Sequence, residues 1–223
     1  LELPVTNVPE IPCAAQDEIA KEIGEIESES DTIEIDLDGD GNPDQVKVVT
    51  IADNKYITAE TSYSGNLVWK EFGEWGSFSA SEVAVTPEFG TDVNQDGANE
   101  LWLKINPLTG PAGGAKQHYV YVFQDCELQV ANDTEATPYD FYRGNTVSGE
   151  TFYIDCVTEN GEALLVYHED YRIGEPGDFV WAYVPTALRL TGTTFEEVIS
   201  SSFEDDISPA PDPLPTDSCP KVS

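Results

Sequence analysis

Along most of this chain, apolar residues come in short runs broken by Gly, Asp, Asn and Pro, not at the spacing of an amphipathic helix. TIEI (32–35), VKVVTI (46–51), YITAET (56–61), NLVWKEF (66–72), ELWLKI (100–105), HYVYVF (118–123), TFYI (151–154), ALLVYH (163–168) and FVWAYV (179–184) are rich in β-branched and aromatic side chains. Such residues fit a pleated, half-buried surface. With turn residues about every ten positions, the pattern predicts an all-β fold. One stretch departs from it: Ala15, Ile19, Ile23 and Ile26 recur at helical spacing, predicting a short amphipathic helix over 14–26. The ends differ again, with three prolines in residues 1–12 and five in 207–223, a density that stops helices and favours extended chain. The expected organisation is an extended segment plus short helix over 1–30, a β-repeat domain over 31–204, and a Pro-rich tail over 205–223.

Two segments inside the β region repeat. DLDGDGNPDQV starts at Asp36 and DVNQDGANELW at Asp92, and they align without a gap. In this pattern, side chains at the first, third and fifth positions wrap around a cation while the chain turns. Gly at the sixth makes the sharp turn, the seventh residue contributes its carbonyl, and an acid at the ninth closes the cage directly or through water. The first loop offers Asp36, Asp38, Asp40, the carbonyl of Asn42 and Asp44 around Gly41. The second offers Asp92, Asn94, Asp96, the carbonyl of Ala98 and Glu100 around Gly97. An all-oxygen set of flexible geometry selects Ca²⁺ over Zn²⁺ or copper, and Mg²⁺ prefers fewer protein ligands and more water. Two Ca²⁺ sites are therefore expected. The twelfth positions are Lys47 and Leu103, so the bidentate Glu of a helix-flanked EF-hand is missing. Its absence places the expected affinity near the roughly 10⁻⁴–10⁻³ M of extracellular modules, which suits a permanent structural ion better than a signal.

DCVTENGEALLVY, from Asp155, also runs from strand through an acidic turn into strand, but its Gly161 falls one position late. Asp155, Glu159 and Glu162 would hold an ion only in altered geometry, so this third copy reads as structural. YVYVFQDCELQV (119–130) and ALRLTGTTFEEV (187–198) read as matched hairpins. The implied unit is strand, acidic loop, strand, then hairpin, over about 55–65 residues and occurring nearly three times. Acidic loops of this form between strands, with Phe89-Gly90 just ahead of the second, resemble the FG-GAP/VCBS-type calcium-binding repeats of secreted and cell-surface proteins. The resemblance spans about residues 31–200 and is specific in the loops, not in the strands. It implies small antiparallel sheets, usually blades of a β-propeller, with calcium in the loops already named. About three units are fewer than a full propeller of that family, so a short propeller-like array, a small barrel or sandwich, or a protomer completed by another chain all fit.

Composition narrows the function. Against 43 Asp+Glu stand 10 Lys+Arg, a formal charge of −33 over 223 residues, which excludes a basic nucleic-acid-binding surface and a polybasic membrane anchor. No apolar run approaches the roughly 18 residues of a membrane-spanning helix. The chain begins at Leu1 and has no Met, and the expected cause is removal of a signal peptide, or trimming. Cys13, Cys126, Cys156 and Cys219 are widely spaced without a CxxC pair, as in a disulfide-bonded extracytoplasmic protein. Of three pairings, Cys13–Cys219 with Cys126–Cys156 is favoured. An Asn-Asp-Thr sequon at Asn132 fits the same address.

Catalytic patterns are sparse. His118 and His168 both fall in strand runs, GPAGGAKQ (110–117) fails the Walker pattern, and neither HExxH nor GxSxG occurs. Trp69, Trp102 and Trp181 lie in strand runs and read as core, while Trp75, between two glycines, reads as exposed. The expectation is a secreted or periplasmic, non-enzymatic, calcium-stabilised structural or adhesive protein. It would self-assemble through its terminal segments into a fibre, or bind a protein or glycan surface partner. The alternative is a periplasmic inhibitor or immunity-type protein of a cell-wall hydrolase, its acidic face meeting a basic enzyme.

Overall fold

In the computed structural model, residues 24–61, 67–72, 80–108, 116–143, 151–173 and 180–198 are described. They form three antiparallel sheets that follow one another along the chain. The first contains β1 (Ser28–Glu29), β2 (Ile33–Ile35), β3 (Asp44–Ile51), β4 (Asn54–Glu60) and β5 (Leu67–Phe72). Here β1 and β2 share one edge of β3, and β4 and β5 follow in order. The second contains β6 (Val83–Thr91), β7 (Glu100–Pro107), β8 (Lys116–Gln124), β9 (Glu127–Val130) and β10 (Phe141–Arg143), with β9 and β10 sharing the far edge of β8. The third is the plain meander of β11 (Thr151–Glu159), β12 (Glu162–Ile173), β13 (Val180–Thr191) and β14 (Thr194–Val198). An acidic loop joins β2 to β3 in the first sheet and β6 to β7 in the second, and a short turn joins β11 to β12 in the third.

The sheets stack with the second in the middle, and its sequence shows why. Leu101, Leu103 and Ile105 of β7 join Ile35, Val46, Val48, Ile57 and Val68 of the first sheet in one core. The intervening Trp102 joins Val120, Phe141, Ile154, Leu165, Leu188 and Phe195 in a second core against the third sheet. A sheet covered on both faces needs apolar residues on both, so period-two alternation disappears and ELWLKI and HYVYVF read as almost continuous apolar runs. Trp102 is fully buried, stacked on Phe89 with ring centroids 5.3 Å apart. On the far face of the first sheet Val49, Ile51 and Tyr56 form a third buried cluster, against which Trp69 packs.

Several expectations change. No closed propeller or barrel forms among the described residues: the three sheets stack in open succession, and propellers need about four blades or more to close a ring. Of the helix expected over 14–26, residues 14–23 lie outside the described residues, while Gly24, Glu25 and Ile26 are not helical. The terminal segment before Gly24, the tail over 205–223, Trp75 and residues 110–115 also lie outside them. Strand β6 was missing from the predicted set because Pro87 interrupts it. Proline is tolerated there because β6 is an edge strand and its register with β7 shifts between Pro87 and Phe89. Cys126 and Cys156 are described, and neither is a free thiol. The Nδ2 of Asn132, the atom a glycan would occupy, donates to the Val130 carbonyl at 3.1 Å. Asn132 also ties the second sheet to the third, its N–H donating to the Thr193 carbonyl and its carbonyl accepting from the Phe195 N–H.

Candidate metal centre

The first loop joins β2 to β3 and the second joins β6 to β7, and the two share one backbone. The fourth position has positive φ in both, Gly39 at 73° and Gln95 at 58°, as does the sixth, Gly41 at 84° and Gly97 at 99°. Four hydrogen bonds are matched as well. The first-position carboxylate accepts from the sixth N–H, Asp36 from Gly41 at 2.9 Å and Asp92 from Gly97 at 3.1 Å. At the third position, Asp38 and Asn94 accept from the N–H of Asp40 and Asp96 at 3.2 and 3.0 Å. The fifth-position carboxylates accept from the seventh N–H, Asn42 at 2.7 Å and Ala98 at 2.9 Å. Finally, the ninth-position acid turns back to the second N–H, Asp44 to Leu37 at 2.8 Å and Glu100 to Val93 at 2.7 Å. Leu37 and Val93 are buried in the two cores, so the second position anchors each loop while the first, third and fifth side chains face away from the core.

These bonds hold the carboxylates of the first loop close together. Carboxylate oxygens of Asp36, Asp38 and Asp40 lie within 4.8 Å of one another, and Asp36 Oδ1 is buried without a hydrogen-bond partner. The donor set is all oxygen and negatively charged, so loop 1 fits a hard divalent ion. Loop 2 puts Asp92, Asn94 and Asp96 in corresponding positions, but its acids do not gather into a comparable cluster of three, since the third position is an amide. Asp44 is fully buried and Glu100 is 2 % exposed.

The electrostatics point the same way. Burial raises the Asp38 carboxyl to about 6, helped by the charges of Asp44, Asp40 and Asp36. Glu100 is pushed up to about 8 by burial first, then by Asp96 and Asp92, against the opposing Val93 N–H. Asp36 and Asp92 are also raised by burial, although backbone N–H groups oppose it. Carboxylates that resist ionisation because they are crowded and desolvated are those a cation relieves.

The third copy holds no such loop. β11 continues to Glu159 and pairs it with Glu162 of β12, leaving Asn160 (φ 52°) and Gly161 (φ 86°) as a two-residue turn. That is the hairpin geometry an Asn-Gly pair favours. Asp155 lies well inside the ladder, opposite Val166.

The loops also touch one another. The N–H and Nδ2 of Asn99 both donate to the carbonyl of Asp36, at 2.7 and 3.1 Å, while Gln95 Nε2 reaches Thr158 Oγ1 of β11 at 3.1 Å. Asn99 was not singled out from sequence. The available signal was its contrast with Pro43, the eighth residue of the other loop, which has no N–H to give. Phe89-Gly90 has a packing role: a Cβ on Gly90 would lie 2.8 Å from Ile35 Cγ2, so glycine lets β2 and β6 approach. His118 is buried and bonds through Nε2 to Glu88, which also pairs with Lys104 at 3.2 Å. No family model, no curated protein and no solved structure matches this chain, leaving the loop geometry as the guide to function.

Proposed function

We propose that this is a non-enzymatic, calcium-stabilised β-repeat protein of the FG-GAP/VCBS type, acting outside the cytoplasm as a structural or adhesive element. The observation that carries the proposal is the doubled loop, with four matched hydrogen bonds fixing its carboxylates and the Asp36 Oδ1 left unpartnered. Asp36, Asp38, Asp40, the Asn42 carbonyl and Asp44 would hold one Ca²⁺. Asp92, Asn94, Asp96, the Ala98 carbonyl and Glu100 would hold the other. Propeller-like stacking of the sheets, secretion after signal-peptide removal, and the pairings Cys13–Cys219 and Cys126–Cys156 belong to the same proposal. No helix among the described residues is long and apolar enough to cross a membrane.

An ion that binds only the folded chain stabilises it by mass action, about 1.4–2.7 kcal/mol per site when calcium exceeds Kd by about 10–100-fold. For a chain of this size two sites should raise Tm by about 6–20 °C. Thermal melting with calcium and with chelator tests this, and superimposable curves would refute it. The adhesive role implies self-association or a surface partner. Light scattering in calcium should then show species larger than a monomer, and a strictly monomeric particle would remove the fibre version. A charge of −33 favours the second reading, an inhibitor of a basic cell-wall hydrolase, which capture of such an enzyme would support.

A further inference from the structure

We propose that Asn99 and Gly39 couple the two loops, so that calcium held by one tightens the binding of calcium by the other; this rests on the calcium reading above. Asn99 lies between two ligand positions of loop 2, the Ala98 carbonyl and the Glu100 carboxylate. It is 7 % exposed, and its N–H and Nδ2 converge on the carbonyl of Asp36, the first ligand residue of loop 1, at 2.7 and 3.1 Å. The same contact is closed from the other side by Gly39. A Cβ there would lie 3.4 Å from backbone atoms of Gly97 and Ala98, and its φ is +73°, a conformation that side chains resist. The eighth residue of loop 1 is Pro43, so the hydrogen bonds run in one direction, from loop 2 onto loop 1.

The consequence follows from what each ion must order. Calcium drawn in by Asp36, Asp38 and Asp40 immobilises the segment from Asp36 to Gly39. Through the Asp36 carbonyl and the Gly39 contact, that segment holds residues 97–99, which include the seventh-position carbonyl of Ala98 and lead directly into the ninth-position Glu100. The second ion then meets a loop whose ordering is already partly complete, and the coupling is reciprocal. Asn99 acts as a positioning residue and not as a ligand.

The test is a calcium titration of the full chain followed by amide NMR, with Gly41 and Gly97 reporting the two loops separately. D40N, which weakens loop 1, should lower the affinity read at Gly97 by about five-fold or more, and D96N should lower the affinity read at Gly41 by a similar factor. In an N99A background, each of these changes should leave the opposite loop within about two-fold. Asp40 and Asp96 lie in the loops, outside the core, and the changes are isosteric, so the D40N and D96N pair decides the matter even if N99A fails to fold. Two ions bound with the opposite loop unaffected by D40N and D96N would overturn the coupling alone. No calcium uptake by the wild-type chain would overturn the calcium reading, and the coupling with it.

Discussion

Glu88 shows how one side chain is held by its neighbours. Burial works to raise its carboxyl, but the hydrogen bond and charge of His118 and the ammonium of Lys104 overcome it and hold the carboxyl at about 2, against an ordinary 4.5. A carboxyl depressed in the folded state contributes stability that is present above its unfolded value and lost as the pH falls through its folded one. Urea unfolding should therefore find E88Q less stable than wild type by about 1–3 kcal/mol at neutral pH, a gap that closes between pH 4.5 and about 2. An unchanged gap at low pH would show that Glu88 acts by packing. At this scale the two matched loops, and the gathering of Asp36, Asp38 and Asp40 in the first, were legible in the sequence, because such a loop is a local pattern of nine residues. Asn99 was not, since its partner Asp36 lies 63 residues away. The Glu88 pairing was hidden for the same reason, with His118 30 residues distant.

Among the elements, the third copy separates pattern from geometry. Its acids suggest a loop, but Asn160-Gly161 closes a tight turn and zips Glu159 to Glu162, so no cage remains. D155A should leave calcium stoichiometry unchanged in a titration, whereas a lost ion would place a third site there. Most strands were legible because β-branched and aromatic runs end at clear turn residues. Strand β6 escaped because VAVTPEFGT contains Pro87, whose missing N–H is harmless only at an edge. Sequence does not reveal which strand is an edge until the sheet order is known.

At the scale of the whole molecule, the three sheets of the described residues stack through two cores on the two faces of the central one, and the acidic loops of the first two sheets meet through Asn99 and Gly39. The near-continuous apolar runs of β7 and β8 mark only strands in the sequence, and their burial on both faces emerges with the stacking; nothing local sets the number of units or whether they close. The charge of −33 is partly focused into these loops, where burial of Asp44 and Glu100 makes uncompensated charge costly. The central claim is that each loop is a calcium site. A calcium titration of the full chain, followed by amide shifts, tests it most directly. The account predicts saturable uptake of two ions, with the largest shifts in residues 36–44 and 92–100; absence of saturable uptake, or shifts centred elsewhere, would contradict it.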